Sequence, residues 1–262
     1  MLKVGSSDKD MLSRMKLYEW YDEAKVRSKK ILLAGAGALG NEVAKNLILS
    51  GYKKITIIDM DHIVHSNLSR CVFFRKGDAD KKRYKARVLA ERLAEITDVS
   101  IDYYIDRVQN MDDNILEEYD IALGCLDNIE ARLHINSHAY YHHIPYIDGA
   151  THGMVGKVQV VVPPITPCLQ CSMNVTHSKV MEKRFSCTGK DVSYFEPNMP
   201  SDINTTSIIA AIQVQETLKI THGMENYIKN IFYYDGNRNF SSVLEISFNP
   251  SCPNHDHKFL NR

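Results

Sequence analysis

The stretch from 30 to 59 restricts the fold more than any other part of the chain. It runs from an apolar segment through a glycine turn and a helix to a second apolar segment that ends in an acid. The segments KILLA (30–34) and ITII (55–58) are nearly uninterrupted apolar runs. Strands covered on both faces of a parallel sheet read this way, whereas half-exposed strands alternate. Between them, NEVAKNLIL (41–49) sets Val43, Leu47 and Ile48 on one helical face. Gly51 stops that helix, as a left-handed residue past a helix end does. Gly35, Gly37 and Gly40 match G-x-G-x-x-G. Such glycines permit a tight turn, close approach of backbone to phosphate, and tight helix packing. The helix start then offers free N–H groups and positive dipole character to an anion. Asp59 ends the second strand, where a carboxylate suits a ribose hydroxyl. The turn alone does not choose between a dinucleotide and ATP.

The alternation continues. Residues 84–97 read as an amphipathic helix, 100–104 as a strand, 115–119 as a short helix and 120–125 as a strand. Helix follows at 131–141 and extended chain at 146–148. Upstream, 9–27 reads as one helix. Downstream, 157–162 is strand-like with no helix after it, 163–204 is rich in loops, 208–220 returns to helix, and 231–234 and 243–248 read as terminal strands. The expected fold class is therefore α/β: a Rossmann-like, doubly wound, mostly parallel sheet extended by antiparallel strands.

Composition narrows the function classes. The 262 residues carry 32 basic and 32 acidic side chains, which excludes a strongly basic nucleic-acid binder. No run approaches the roughly 20 apolar residues of a bilayer span. The N-terminal MLKVGSSDKDMLSR lacks the apolar segment of a secretory signal. The expectation is a cytoplasmic protein with neither nucleic acid nor membrane as partner, its six cysteines mostly reduced.

Polar residues past the second strand exceed what a redox coenzyme needs. Asn67, Arg70 and Lys85 follow Asp59, and Lys85 opens a helix. Two cations there can stabilise charge building on an α-phosphate and a leaving pyrophosphate. Asp127, in the CLDN segment closing a strand, is placed to hold Mg²⁺.

The cysteines suggest two separate roles. Cys168 and Cys171 form C-x-x-C, and Cys252 and His255 form C-x-x-H. Two pairs of such ligands suit a structural, tetrahedral Zn²⁺ that would tether the C-terminus. His257 competes for the fourth position. Cys187 lies among Lys183, Arg184 and Lys190, whose charge favours thiolate and makes it a candidate nucleophile. Cys71 and Cys125 sit among apolar residues and read as structural. His134, His138 and His142 share a helical face with His143 adjoining, but no carboxylate or cysteine accompanies them, so they read as an ordinary helix face. Phe73, Phe74, Tyr233 and Tyr234 read as core or sheet residues.

GAGALG, IIDMDHIVHSNLSR, YKARVLAERL, GCLDN and CLQC together resemble the activating enzymes of ubiquitin-like proteins. The bacterial-type relatives of those enzymes are the adenylyltransferases of molybdopterin and thiamine biosynthesis. The resemblance runs from about residue 13 to about residue 255. It implies that Asp59 binds ribose, that Asn67, Arg70 and Lys85 contact ATP phosphates, and that Asp127 serves Mg²⁺. It implies further that Arg14 reaches the ATP of a second copy in a homodimer, and that Cys187, followed by Thr188, forms a thioester. The spacing from Arg70 to Lys85 is slightly longer than in the bacterial-type enzymes, so Lys81, Lys82 and Arg83 rival Lys85. The family usually carries two C-x-x-C pairs, so His255 departs from its pattern.

The implied organisation is a single adenylation domain over 1–262. It has N-terminal helices at 1–29, a nucleotide-binding core at 30–150, and a zinc and catalytic-cysteine part at 151–262. The implied activity is ATP-dependent adenylation of the C-terminal glycine of a small ubiquitin-like protein ending in Gly-Gly. Thioester formation on Cys187 follows, with a conjugating enzyme as a further partner. The alternatives are adenylation of a sulfur-carrier protein for thiocarboxylate formation, an NAD-dependent oxidoreductase, and a non-enzymatic partner subunit.

Overall fold

The computed structural model describes residues 9–97, 99, 101–112, 114–172 and 200–255. Eight strands form one sheet in the order β3-β2-β1-β4-β5-β6-β7-β8. They are β1 (Lys30–Ala34), β2 (Lys54–Ile58), β3 (Ile101–Tyr104), β4 (Ile121–Gly124), β5 (Tyr146–His152), β6 (Val155–Val161), β7 (Ile231–Asp235) and β8 (Phe240–Leu244). The first five pair in parallel, and β6, β7 and β8 extend the sheet antiparallel. This is the α/β architecture expected from the apolar runs.

Alternation along each strand divides the core in two. Ile31, Leu33, Ile55, Ile57, Leu123, Ile147 and Val158 face α2 (Ala38–Leu49), α4 (Lys85–Ala94) and a long helix, α6 (Ile203–Thr221). Leu32, Ala34, Ile58, Ala122, Tyr146 and Val161 face α5 (Ile129–Tyr141) and the buried Cys168 and Cys252. The central strands are buried on both sides, which is why their sequences show no polar alternation.

Several elements differ from the sequence reading, each for a tertiary reason. The single helix expected over 9–27 is a 3-10 turn at Met15–Leu17 and a short α1 (Glu23–Ser28). Tyr21 Oη donates to Ser50 O at 2.9 Å, and Asp22 N donates to His222 Nε2 at 2.9 Å. Asp22 also caps α1, accepting from Ala24 N and Lys25 N. These contacts hold the intervening backbone extended. An unforeseen α3 (Lys76–Asp80) forms where Asp78 accepts from Arg75 N and pairs with Arg83 and Arg92. The α6 helix begins before 208 because Asp202 caps it through Thr205 N, with Thr205 and Thr206 buried. The last strand is Phe240–Leu244 rather than 243–248, since the turn after Asp235 sets Phe240 opposite it.

Gln213 of α6 ties the sheet centre together. Its Nε2 donates to Gly124 O and Ile147 O, both at 3.0 Å, and the side chain is fully buried. Replacing it leaves two buried carbonyls without a donor. Gln213→Leu is therefore expected to lower unfolding free energy by about 2–3 kcal/mol in urea titrations. A loss below about 0.5 kcal/mol, within the range of ordinary surface changes, contradicts this account.

Candidate functional site

Three strand ends converge on the glycine turn. Ala34 is in register with Ile58 of β2 and with Gly124 of β4. The strand order reverses between β1 and β4, which is where open α/β sheets form their ligand crevice. Gly35 has φ +100°, and a Cβ there would overlap Cys125 O. A Cβ on Gly40 would overlap Gly35 O. Gly37 is the N-cap of α2 and faces open space, so the amides of the first turn look into the crevice.

Asp59 lies against this turn. Its Oδ2 accepts from Ala36 N at 2.7 Å and its Oδ1 from Asp61 N at 2.8 Å. Burial raises its pKa above the ordinary carboxylate value, while the Lys85 charge and the two amides oppose that rise. Lys85 Nζ is 2.7 Å from Asp61 Oδ2, and its side chain is only 13% exposed. Burial disfavours the ammonium, but Asp59 and Asp61 outweigh it, and its pKa is raised above 10.5. Lys85 therefore stays charged throughout the neutral range.

Asn67 and Arg70 lie on the turn between β2 and α3. Asn67 is buried in the 3-10 turn His65–Ser69, and its Oδ1 accepts from Val64 N at 3.0 Å. Arg70 ends that turn, partly exposed, donating from Nη1 to Ser66 O at 2.6 Å. Asp127 is exposed in the turn joining β4 to α5, next to the α5 cap Asn128. A lone exposed carboxylate suits an ion that takes its other ligands from water and substrate phosphates. Among the rivals of Lys85, Arg83 is committed to Asp78 and Glu91, and Lys81 and Lys82 are exposed.

Not every candidate joins this group. Arg14 is exposed beside a segment whose Leu12 packs near Gly51, at the opposite end of α2 from the glycine turn. Cys187 and His257 lie outside the described residues. Cys71 and Cys125 have pKa values pushed up by burial, Cys71 to about 11, which suits inert thiols. His134, His138 and His142 run along α5 with neighbouring ring centroids 4.4 and 6.5 Å apart, and His142 pairs with Glu117.

Cys168, Cys171, Cys252 and His255 gather on the α5 face, their ligand atoms all within 4.8 Å of one another. Cys168 Sγ is 3.9 Å from Cys171 Sγ and 3.5 Å from Cys252 Sγ, and Cys171 Sγ is 3.0 Å from His255 Nε2. A tetrahedron with Zn–S near 2.3 Å has sulfurs about 3.8 Å apart, so the donor set and its spacing fit zinc. Asn254 Nδ2 and Asn249 N point at Cys168 Sγ and Cys171 Sγ. Such outer donors favour thiolate ligands.

Three contributors escaped the sequence reading. Asp61 orients Lys85, and a second acid two positions after Asp59 was its only signal. Gln213 braces the two strand ends from a helix whose letters suggest only amphipathicity. Arg132 makes a buried two-pronged pair with Asp148, which also accepts from Tyr146 Oη at 2.9 Å. That pair clamps the first turn of α5, just after Asp127, onto β5.

The ThiF family profile matches residues 12–254. The chain belongs to the ThiF family. This sets it in the ubiquitin-like activating enzyme superfamily. The NEDD8-activating enzyme E1 catalytic subunit of Dictyostelium discoideum is 37% identical over 159 residues, covering 55% of this chain and 36% of that protein. SUMO-activating enzyme subunit 2 of the same organism is 35% identical over 150 residues, covering 56% of this chain and 22% of that one. The chain thus spans about a third or less of these relatives' length. E. coli MccB with succinimide has the same fold at TM-score 0.76 and 19% identity, over 95% of this chain and 75% of MccB. MccB with ATP superposes at TM-score 0.74, over 94% of this chain and 74% of that one. Among the described residues no helix is long and apolar enough to cross a membrane.

Elemental analysis of the purified protein is expected to find one zinc per chain. Cys171→Ser or His255→Ala should lose most of it and melt lower. Protein that stays zinc-free after expression in zinc-rich medium, with melting indifferent to EDTA, excludes the assignment.

Proposed function

We propose that this chain activates the C-terminal carboxylate of a small ubiquitin-like protein by adenylation. The observation that carries the reading is the Lys85 ammonium held beside Asp59, at the mouth of a glycine-turn crevice that Asp127 adjoins. A hydride-transfer site needs a ribose acid but no such cation. A triphosphate needs both. The kinship with NEDD8- and SUMO-activating subunits and the fold of MccB, which has been solved with ATP, point the same way.

In the proposed reaction a carboxylate oxygen attacks the α-phosphorus of MgATP. The bond to the bridging oxygen breaks, pyrophosphate leaves with the electron pair, and an acyl-adenylate remains. Asp59 would hold the ribose, and the amides around Gly35, Gly37 and Gly40 the phosphates. Asn67, Arg70 and Lys85 would balance charge that grows on the transferred phosphate and the leaving group. Asp127 would hold Mg²⁺ shared with the phosphates. Arg14 would act on the crevice of a second copy, since its own lies at the far end of α2. Zinc would brace the C-terminal segment and take no part in the chemistry.

The second stage proposed is attack of the Cys187 thiolate on the adenylate, forming a thioester and releasing AMP. The product is suited to transfer onto a conjugating enzyme. The tail would end in Gly-Gly.

The test offers the chain MgATP and either NEDD8 or SUMO. Labelled pyrophosphate is expected to exchange into ATP, and a thiol-sensitive adduct to appear on a non-reducing gel. Lys85→Met and Asp127→Ala should each cut exchange at least about a hundredfold. Cys187→Ala should abolish the adduct and leave exchange intact. Exchange without an adduct in the unmodified chain would instead favour thiocarboxylate formation on a sulfur carrier. Absence of exchange and of ATP binding would overturn adenylation itself.

A further inference from the structure

Lys157 is not used by the chemistry above, and its surroundings ask for an anion. It lies on β6 in register with Ala150 of β5, and Asp148, two residues before Ala150, is in register with Gly124. Strand spacings place its backbone about 10 Å to the side of β4 and about 7 Å beyond the level of Gly124. That spot lies at the same end of the sheet as the turn carrying Asp127. Parity puts its side chain on the same face as Asp148, the face covered by α5.

Among the described residues, charge on this face does not balance. The charged groups acting on Lys157 are Arg132 and Asp148. Asp148 is already occupied, accepting from Arg132 on both oxygens and from Tyr146 Oη. Two cations thus share one carboxylate whose lone pairs are largely used. Among the described residues no group hydrogen-bonds to or pairs with the Lys157 ammonium, and the residue is only partly exposed. Burial, with the Arg132 charge, pushes its pKa below 10.5. A partly desolvated ammonium with surplus positive charge around it is stabilised by an incoming anion.

Resting on the adenylation reading, we propose that Lys157 docks the terminal carboxylate of the substrate tail beside the crevice, setting it on the α5 side of the nucleotide. A phosphate is the lesser fit, because the glycine turn and Lys85 lie across β4 and α2 covers the opposite face of the sheet. The carboxylate would approach past the hairpin between β5 and β6, where Gly153 N donates to Pro200 O at 2.8 Å. Lys157 is thereby a residue that reads the tail, separate from those that hold ATP.

The experiment uses the full chain and a fluorescein-labelled octapeptide ending in Gly-Gly, as the free acid and as the C-terminal amide, read by anisotropy. The unmodified chain is expected to bind the acid about tenfold more tightly than the amide, as a charge-assisted hydrogen bond provides. Lys157→Met should bring the two peptides level by weakening the acid alone. Lys157→Arg should restore most of the preference. Preference for the acid should also fade on raising pH sooner than for an ordinary lysine. Binding of a fluorescent ATP analogue and the melting temperature should not move in either variant.

No acid preference in the unmodified chain, or a preference that survives Lys157→Met, overturns the proposal. So does a loss that tracks nucleotide affinity, which would make Lys157 a phosphate ligand. These outcomes are separable from failure of the adenylation reading, which is decided by ATP binding and pyrophosphate exchange in the unmodified chain.

Discussion

Where the glycine turn crosses the end of β4, two backbones meet with no side chain between them. Gly35 N donates to Ile58 O and Cys125 N donates to Ala34 O, each at 2.8 Å. The Cβ position of Gly35 is filled by Cys125 O, and that of Gly40 by Gly35 O. This contact draws the ends of β2, β1 and β4 to one level and leaves main-chain amides as the crevice floor. Larger residues would push α2 off the sheet, and the amides of its first turn would no longer converge. Asp59 depends on the same contact, because its acceptor for Ala36 N exists only while the turn is this tight.

The electrostatics follow from that closeness. A carboxylate pressed against backbone in a poorly solvated corner is costly, and the raised pKa of Asp59 expresses the cost. Lys85 offsets it from one side, and Asp61 keeps Lys85 from swinging into solvent. The two partners of this ion pair differ in exposure, 13% for Lys85 and 53% for Asp61. An arriving phosphate competes with Asp61 for the ammonium, and Asp61 can return to water at little cost. The resting ion pair therefore pre-orients the lysine without locking it away.

Most of this architecture was legible because it rests on local patterns. Continuous apolar runs marked the buried parallel strands, and three glycines with a following acid marked the crevice. Two C-x-x pairs, far apart in sequence, marked the four side chains now found within 4.8 Å of one another. What could not be read depends on contacts between distant segments. The break in the expected N-terminal helix comes from His222 and Ser50, and nothing in residues 9–27 announces either. Arg132 and Asp148 look like ordinary surface charges until α5 is laid on β5. Gln213 is polar in a helix that turns out to face the sheet centre. Lys157 sits in an apolar run, KVQVVV, where its letter reads only as the start of a strand.

The C-terminal segment shows why the antiparallel extension needs an external brace. Strand β8 is exposed along most of its length, with Phe240, Val243 and Leu244 all open to solvent, so little apolar cover holds the far edge of the sheet. The chain instead returns beneath α5, where Cys252 is fully buried and the His255 ring lies 4.5 Å from that of Tyr140 and 5.2 Å from that of Phe248. Three thiols and an imidazole brought together there gain little from one another without an ion. With zinc they would become a cross-link between the segment after β6 and the segment around Cys252. Gln159, two residues from Lys157, accepts from Ser172 just past Cys171. A zinc brace would therefore bear directly on β6.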